Sequence, residues 1–159
     1  MKDARWQDEL LAVRATARHF AAASSIIKRD DFDDREESGY VNLMAFFHAM
    51  QSGHTALEEA LLRALQIIGE DEPTGQSWHA ELISRCTEEA NGRPSILSRE
   101  LASAAQQTRG FRHRATHATV RFDFVFSKDR AQVAALAGDK IGAEFEPAIL
   151  AFADIVDPD

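Results

Sequence analysis

Apolar and small residues recur at three- and four-residue intervals along most of the chain, the spacing of one face of an α-helix. The first stripe, Trp6, Leu10, Val13, Ala17, Phe20, Ser24 and Ile27, predicts a helix over 6–27. The acidic run of Asp30, Asp31, Asp33, Asp34, Glu36 and Glu37 then leads to Ser38 and Gly39, where mutual repulsion and glycine predict a solvated loop. A second stripe, Leu43, Phe47, Met50, His54, Leu57, Leu61, Ala64 and Ile68, predicts the longest helix, over about 40–68 and stopped by Gly69. Pro73, Gly75 and Ser77 mark the next loop, with the Ser77 hydroxyl placed to cap a short helix over 78–90.

Asn91-Gly92-Arg93-Pro94 ends that helix, and Pro94 suits the first turn of a fourth. Its stripe is Leu97, Leu101, Ala104, Thr108, Phe111, Ala115 and Ala118, with Gly110 a weak point in the middle. Val120, Phe122, Phe124 and Phe126 alternate with Arg121, Asp123 and Val125 in the period of a strand. With no second strand to pair with, this segment is read as an extended connection packed on the helices. Ser127 is placed to cap a last helix carrying Val133, Ala137, Ile141, Phe145, Ala148, Phe152 and Ile155, kinked near Pro147. The pattern predicts an all-α fold, an up-and-down bundle of four to five helices forming one domain over 1–159.

Composition sharpens this picture. At 159 residues, with 45% hydrophobic and 28% charged, the chain is large enough for one ordinary core. No apolar run approaches the roughly 20 residues that cross a bilayer, and Met1-Lys2-Asp3-Ala4-Arg5 precedes no apolar signal core. A cytoplasmic protein without membrane attachment is expected. Cys86 is the single cysteine, which rules out an internal disulfide, and it is read as a small buried core residue. A net charge of −8 argues against a surface that grips nucleic acid everywhere. Charge is nevertheless uneven: Arg93, Arg99, Arg109, Arg112, Arg114 and Arg121 share a stretch whose one acid is Glu100.

The chemistry-bearing residues fall in that stretch. His113 and His117 stand four apart, a spacing that turns two imidazoles toward one metal. Arg114 fills the place where a zinc hydrolase needs glutamate, so a metal-binding bundle is the weakest of three readings, and no cofactor is expected. Nucleophilic catalysis lacks a partnered cysteine or a serine elbow, and the eight glycines are scattered singly rather than grouped into a phosphate loop. Arg112 and His117 remain. Metal-independent RNA cleavage needs an imidazole that takes the ribose 2′-hydroxyl proton and a guanidinium that stabilises charge on phosphorus. A five-residue offset turns the two side chains about 140° apart on an ideal helix. A shared cleft therefore needs either an irregularity at Gly110 or a second chain bringing its own copy. Elsewhere, Trp78 and His79 read as a packed helix start, and His48 and His54 as satisfied structural groups. Glu58 reads either as a partner that orients Arg112 across the bundle or as an exposed helix glutamate.

Leu57-Glu58-Glu59-Ala60-Leu61, Pro73-Thr74-Gly75-Gln76-Ser77-Trp78-His79, Arg93-Pro94, and Phe111-Arg112-His113 followed by His117 stand in an order that resembles the HepT-like branch of the HEPN superfamily. The hallmark of that group is arginine, four to six residues, then histidine. The resemblance implies a homodimeric, metal-independent endoribonuclease, the toxin of a type II toxin-antitoxin pair, with Arg112 and His117 catalytic. It implies supporting or RNA-contacting roles for His113, Arg109, Arg114 and Thr116, and a minimal nucleotidyltransferase as antitoxin partner. In related pairs the antitoxin adenylylates a tyrosine two places after the histidine; Thr119 stands there, making it the candidate modification site, and the chain's one tyrosine is Tyr40. Thr116 replaces the second arginine common just before the histidine. Both departures keep open a second reading, a catalytically weak or inactive HEPN-like dimer that binds a nucleotidyltransferase.

Overall fold

A computed structural model describes residues 3–32, 36–118 and 128–158, of which 115–118 as backbone only. Five helices follow one another: α1 (Arg5–Ile27), α2 (Glu37–Ile67), α3 (Trp78–Thr87), α4 (Arg99–Ala118) and α5 (Lys128–Val156). The fold is an all-α bundle; among the described residues no strand occurs, only an isolated bridge between Ala90 and Arg93. None of the described helices is long and apolar enough to cross a membrane. The strand-like segment over 120–126 and Ser127 lie outside the described residues.

Helix α1 packs along α2 and α5, α4 packs on α5 and α2, and the short α3 sits on α4 and α2. Where α1, α2 and α5 meet, the Phe20 ring lies directly over Gly53 and Gly138. A second aromatic group ties α4 to α2: Phe111 meets Phe46 edge-on at 5.6 Å and Phe47 at the same centroid distance.

Several boundaries differ from the expected ones for local reasons. Helix α2 begins at Glu37, so Ser38 and a buried Gly39 are helical rather than part of the loop. Ser77 does not cap α3 with its side chain, because at φ −101°, ψ 13° its backbone is not in the extended conformation that side-chain capping needs. Helix α3 ends at Thr87, three residues early. Asn91 and Gly92, both at positive φ, form a tight turn that brings Ala90 and Arg93 together. The buried Arg93 side chain then donates to the Arg85, Glu88 and Pro94 carbonyls and pairs with Glu70. Pro94 does not open α4. The amides of Ile96 and Leu97 both donate to the Cys86 carbonyl at 2.8 Å, holding this segment on the end of α3. The helix starts after Ser98, whose hydroxyl caps the Leu101 amide.

On α5 the buried face runs through Ala131, Ala134, Ala135, Gly138, Ile141, Phe145, Ile149 and Phe152, leaving Val133, Leu136 and Ile155 exposed. Small residues let α1 approach there, so residue size did not mark the inner face. Pro147 lies within the continuous α5, and Gly110 within a continuous α4.

Candidate functional site

The site begins with the Phe111 anchor, since the residue after it is Arg112. Across from it on α2, Leu57 and Leu61 face the core and Glu58 follows them inward, only 3% exposed. A buried carboxylate is costly unless donors surround it, and here three do. His54 Nε2 donates to Oε1 at 3.1 Å, His79 Nδ1 donates to the same oxygen at 2.6 Å, and Arg112 Nη1 donates to Oε2 at 2.6 Å. One carboxylate thus joins α2, the start of α3 and the second half of α4.

Burial pushes the Glu58 carboxyl up, but the bonds from His54 and His79 and the nearby Arg112 charge outweigh it and hold the group below the ordinary glutamate value. Burial dominates at His54 and pulls its imidazole below the ordinary histidine value despite Glu58. An ionised Glu58 beside a neutral His54 places the His54 ring proton on Nε2. Its Nδ1 then accepts the Thr108 hydroxyl 2.9 Å away, a proton for which the Ala105 carbonyl at 3.0 Å competes. His54 is fully buried and spends both ring nitrogens on structure, as expected of it. Arg112 keeps 30% of its side chain exposed and His79 34%. His79 also stacks on Trp78 at 3.7 Å.

Of the two readings of Glu58, the buried partner of Arg112 is the one observed. His79 goes beyond the packed helix start expected of it, joining the same carboxylate. The sequence carries one signal for this cluster: Glu58 follows His54 by four residues, which puts an acid and an imidazole on one helix face beside the apolar stripe.

The other candidates are dispersed along α4. His113 and Arg114 are exposed, and an Arg114 nitrogen reaches back over Gly110. Arg109 donates to Gln106 Oε1 at 2.7 Å. Thr116 and His117 lie on the part of α4 described as backbone only, and Thr119 and Arg121 lie outside the described residues. Arg93 is buried in the α3–α4 connection and paired with Glu70, apart from the arginines of α4. Cys86 is buried, and burial pushes its thiol up to about 12, which keeps it un-ionised and inert. His48 is exposed on α2. Among the described residues no three His, Cys, Asp or Glu side chains converge as metal ligands. A cleft of about 650 Å³ opens beside Asp3, Gly69 and Val156, but its Glu70 and Arg93 are paired with each other.

No curated protein and no solved structure matches the chain. A family model described as HepT-like protein matches residues 45–156, which takes in Glu58, His79, Arg112 and His117. Spanning the chain from within α2 to the end of α5, that match shows that the protein belongs to the HepT-like family of the HEPN superfamily.

Proposed function

We propose that the protein is a metal-independent endoribonuclease, the toxin of a type II toxin-antitoxin pair, acting in the cytoplasm as a homodimer. The observation that carries this reading is Arg112, held by buried Glu58 with 30% of its side chain exposed. A guanidinium fixed by a carboxylate loses little freedom when it meets a phosphate, which is the condition for transition-state stabilisation rather than loose binding. His117 takes the proton of the ribose 2′-hydroxyl, the 2′-oxygen attacks phosphorus, and the bond to the 5′-oxygen breaks. The products are a 2′,3′-cyclic phosphate and a 5′-hydroxyl. His113, Arg109, Arg114 and Thr116, all on α4, contact the RNA backbone.

Continuity of α4 through Gly110 supports the dimer. With no irregularity there, residues 112 and 117 point about 140° apart, and a cleft facing both groups is completed by the partner's α4. The antitoxin in this reading is a minimal nucleotidyltransferase, with Thr119 the residue offered for modification. Thr116 and Thr119 favour a second reading, a HEPN-like dimer that binds such a partner without cleaving RNA.

The test is cleavage of a labelled RNA by purified protein in excess chelator. Wild type is expected to cleave, with His117→Ala and Arg112→Ala each reduced by about 10²–10⁴-fold. Intact RNA with wild type across structured and unstructured substrates refutes the ribonuclease and leaves the non-catalytic dimer.

A further inference from the structure

We infer that His79 is a second catalytic residue, the general acid that protonates the leaving 5′-oxygen, because Glu58 holds its imidazole beside the Arg112 guanidinium. The inference rests on the ribonuclease reading and extends it. Transfer of the phosphoryl group to the 2′-oxygen expels an alkoxide, and an alkoxide leaves slowly unless a proton reaches it as the bond breaks. Arg112 has no readily transferable proton, and His117 is occupied with the 2′-hydroxyl.

Two imidazoles lie against Glu58, and they differ in what remains available. His54 is fully buried and both of its ring nitrogens are bonded. His79 is one-third exposed and bonded only through Nδ1, while Nε2 takes no hydrogen bond among the described residues. Its ring is oriented twice over, by the carboxylate at 2.6 Å and by the Trp78 face at 3.7 Å. A carboxylate on one ring nitrogen with the other turned to substrate is the arrangement that fixes the tautomer of a proton-transfer histidine. The groups facing it are Glu58 and His54 from α2, Arg112 from α4 and Trp78 from its own helix.

Arg112 bonds the other oxygen of the same carboxylate, so its guanidinium and the His79 ring are held as neighbours and a phosphate seated on the guanidinium is bound next to His79. In the shared cleft the base is supplied by the α4 that the second chain contributes, so base and acid come from different elements. In the acid form His79 carries protons on both nitrogens: Nδ1–H stays on Glu58, and Nε2–H passes to the 5′-oxygen as the phosphorus–oxygen bond breaks. The neutral ring regains a proton from water after the products leave.

The experiment compares one labelled RNA with the same RNA carrying sulfur in place of the scissile 5′-oxygen, a leaving group that departs as thiolate without a proton. Wild type, His79→Ala, His79→Gln and His117→Ala are each assayed on both. The expected result is a loss of about 10²–10⁴-fold for both His79 variants on the oxygen substrate, largely restored on the sulfur substrate, with His117→Ala impaired on both. Because the readout is a ratio within one protein, partial misfolding does not mimic it. Equal losses on both substrates, or no loss on the oxygen substrate, overturn the role of His79 while wild-type cleavage leaves the ribonuclease standing. Wild type inactive on both substrates removes the ribonuclease reading and this inference with it.

Discussion

Glu9 and Glu58 are both buried carboxylates, and their surroundings drive them in opposite directions. Glu58 meets three donors and stays ionised; neither oxygen of Glu9 has a hydrogen-bond partner among the described residues, and the Arg63 guanidinium stands 3.6 Å away. Burial pushes the Glu9 carboxyl up to about 7, against a weaker pull from Arg63. An acid whose folded value is raised stabilises the fold most below its unfolded value, and that contribution disappears as pH rises through about 7. Over that window the loss is on the order of 3 kcal/mol. Glu9→Gln, which cannot ionise, is therefore expected to gain on wild type in melting temperature between pH 5 and pH 8. A difference that stays constant across that range would show that Glu9 does not titrate there. The sequence carries one signal for Glu9, which stands three residues after Trp6 and four before Val13 on the apolar face of α1; its lack of hydrogen-bond donors comes only from the way α1 lies on α2.

Two glycines of α5, four residues apart, show how an element is fitted to its neighbours. A methyl at Gly138 would stand 2.6 Å from the Phe20 ring, whereas one at Gly142 would meet Ala17 at 3.6 Å, an ordinary contact. Gly138→Ala is expected to destabilise by about 1–2 kcal/mol, overpacking outweighing the gain in helix propensity. Gly142→Ala is expected to be neutral or to stabilise by up to about 1 kcal/mol. Denaturant melts of the two variants should thus move to opposite sides of wild type, or nearly so. Helix existence was legible from periodicity for four of the five helices, and three of those four stripes mark the buried face well among the described residues. The α5 stripe did not, since Val133 and Ile155 are exposed while Ala131, Ala134 and Gly138 are inside. Close helix approach selected small residues there, and that preference belongs to the pair of helices rather than to either one.

At the scale of the whole molecule, the proposed cleft needs two chains, which makes activity depend on association. Specific activity on a labelled RNA is expected to fall as the protein is diluted through its dimer dissociation constant, in step with the loss of dimer by light scattering. Mixing Arg112→Ala with His117→Ala should restore part of the activity if each site takes its two groups from different chains. Activity that is proportional to concentration down to a demonstrated monomer would rule out the shared cleft.

The all-α class, the five helices and the motif on α4 follow from the sequence because helical periodicity and residue order are local properties of the chain. The family resemblance was legible for the same reason, its motifs being short runs in a fixed order. Which polar residues meet was decided only by tertiary structure. Glu58 is 21 residues from His79 and 54 from Arg112 along the chain, and a carboxylate becomes a hub only when three helices bury it together. The start of α4 was decided the same way: Pro94 could have opened a helix, but the Cys86 carbonyl holds the following segment on α3 and leaves the start to Ser98.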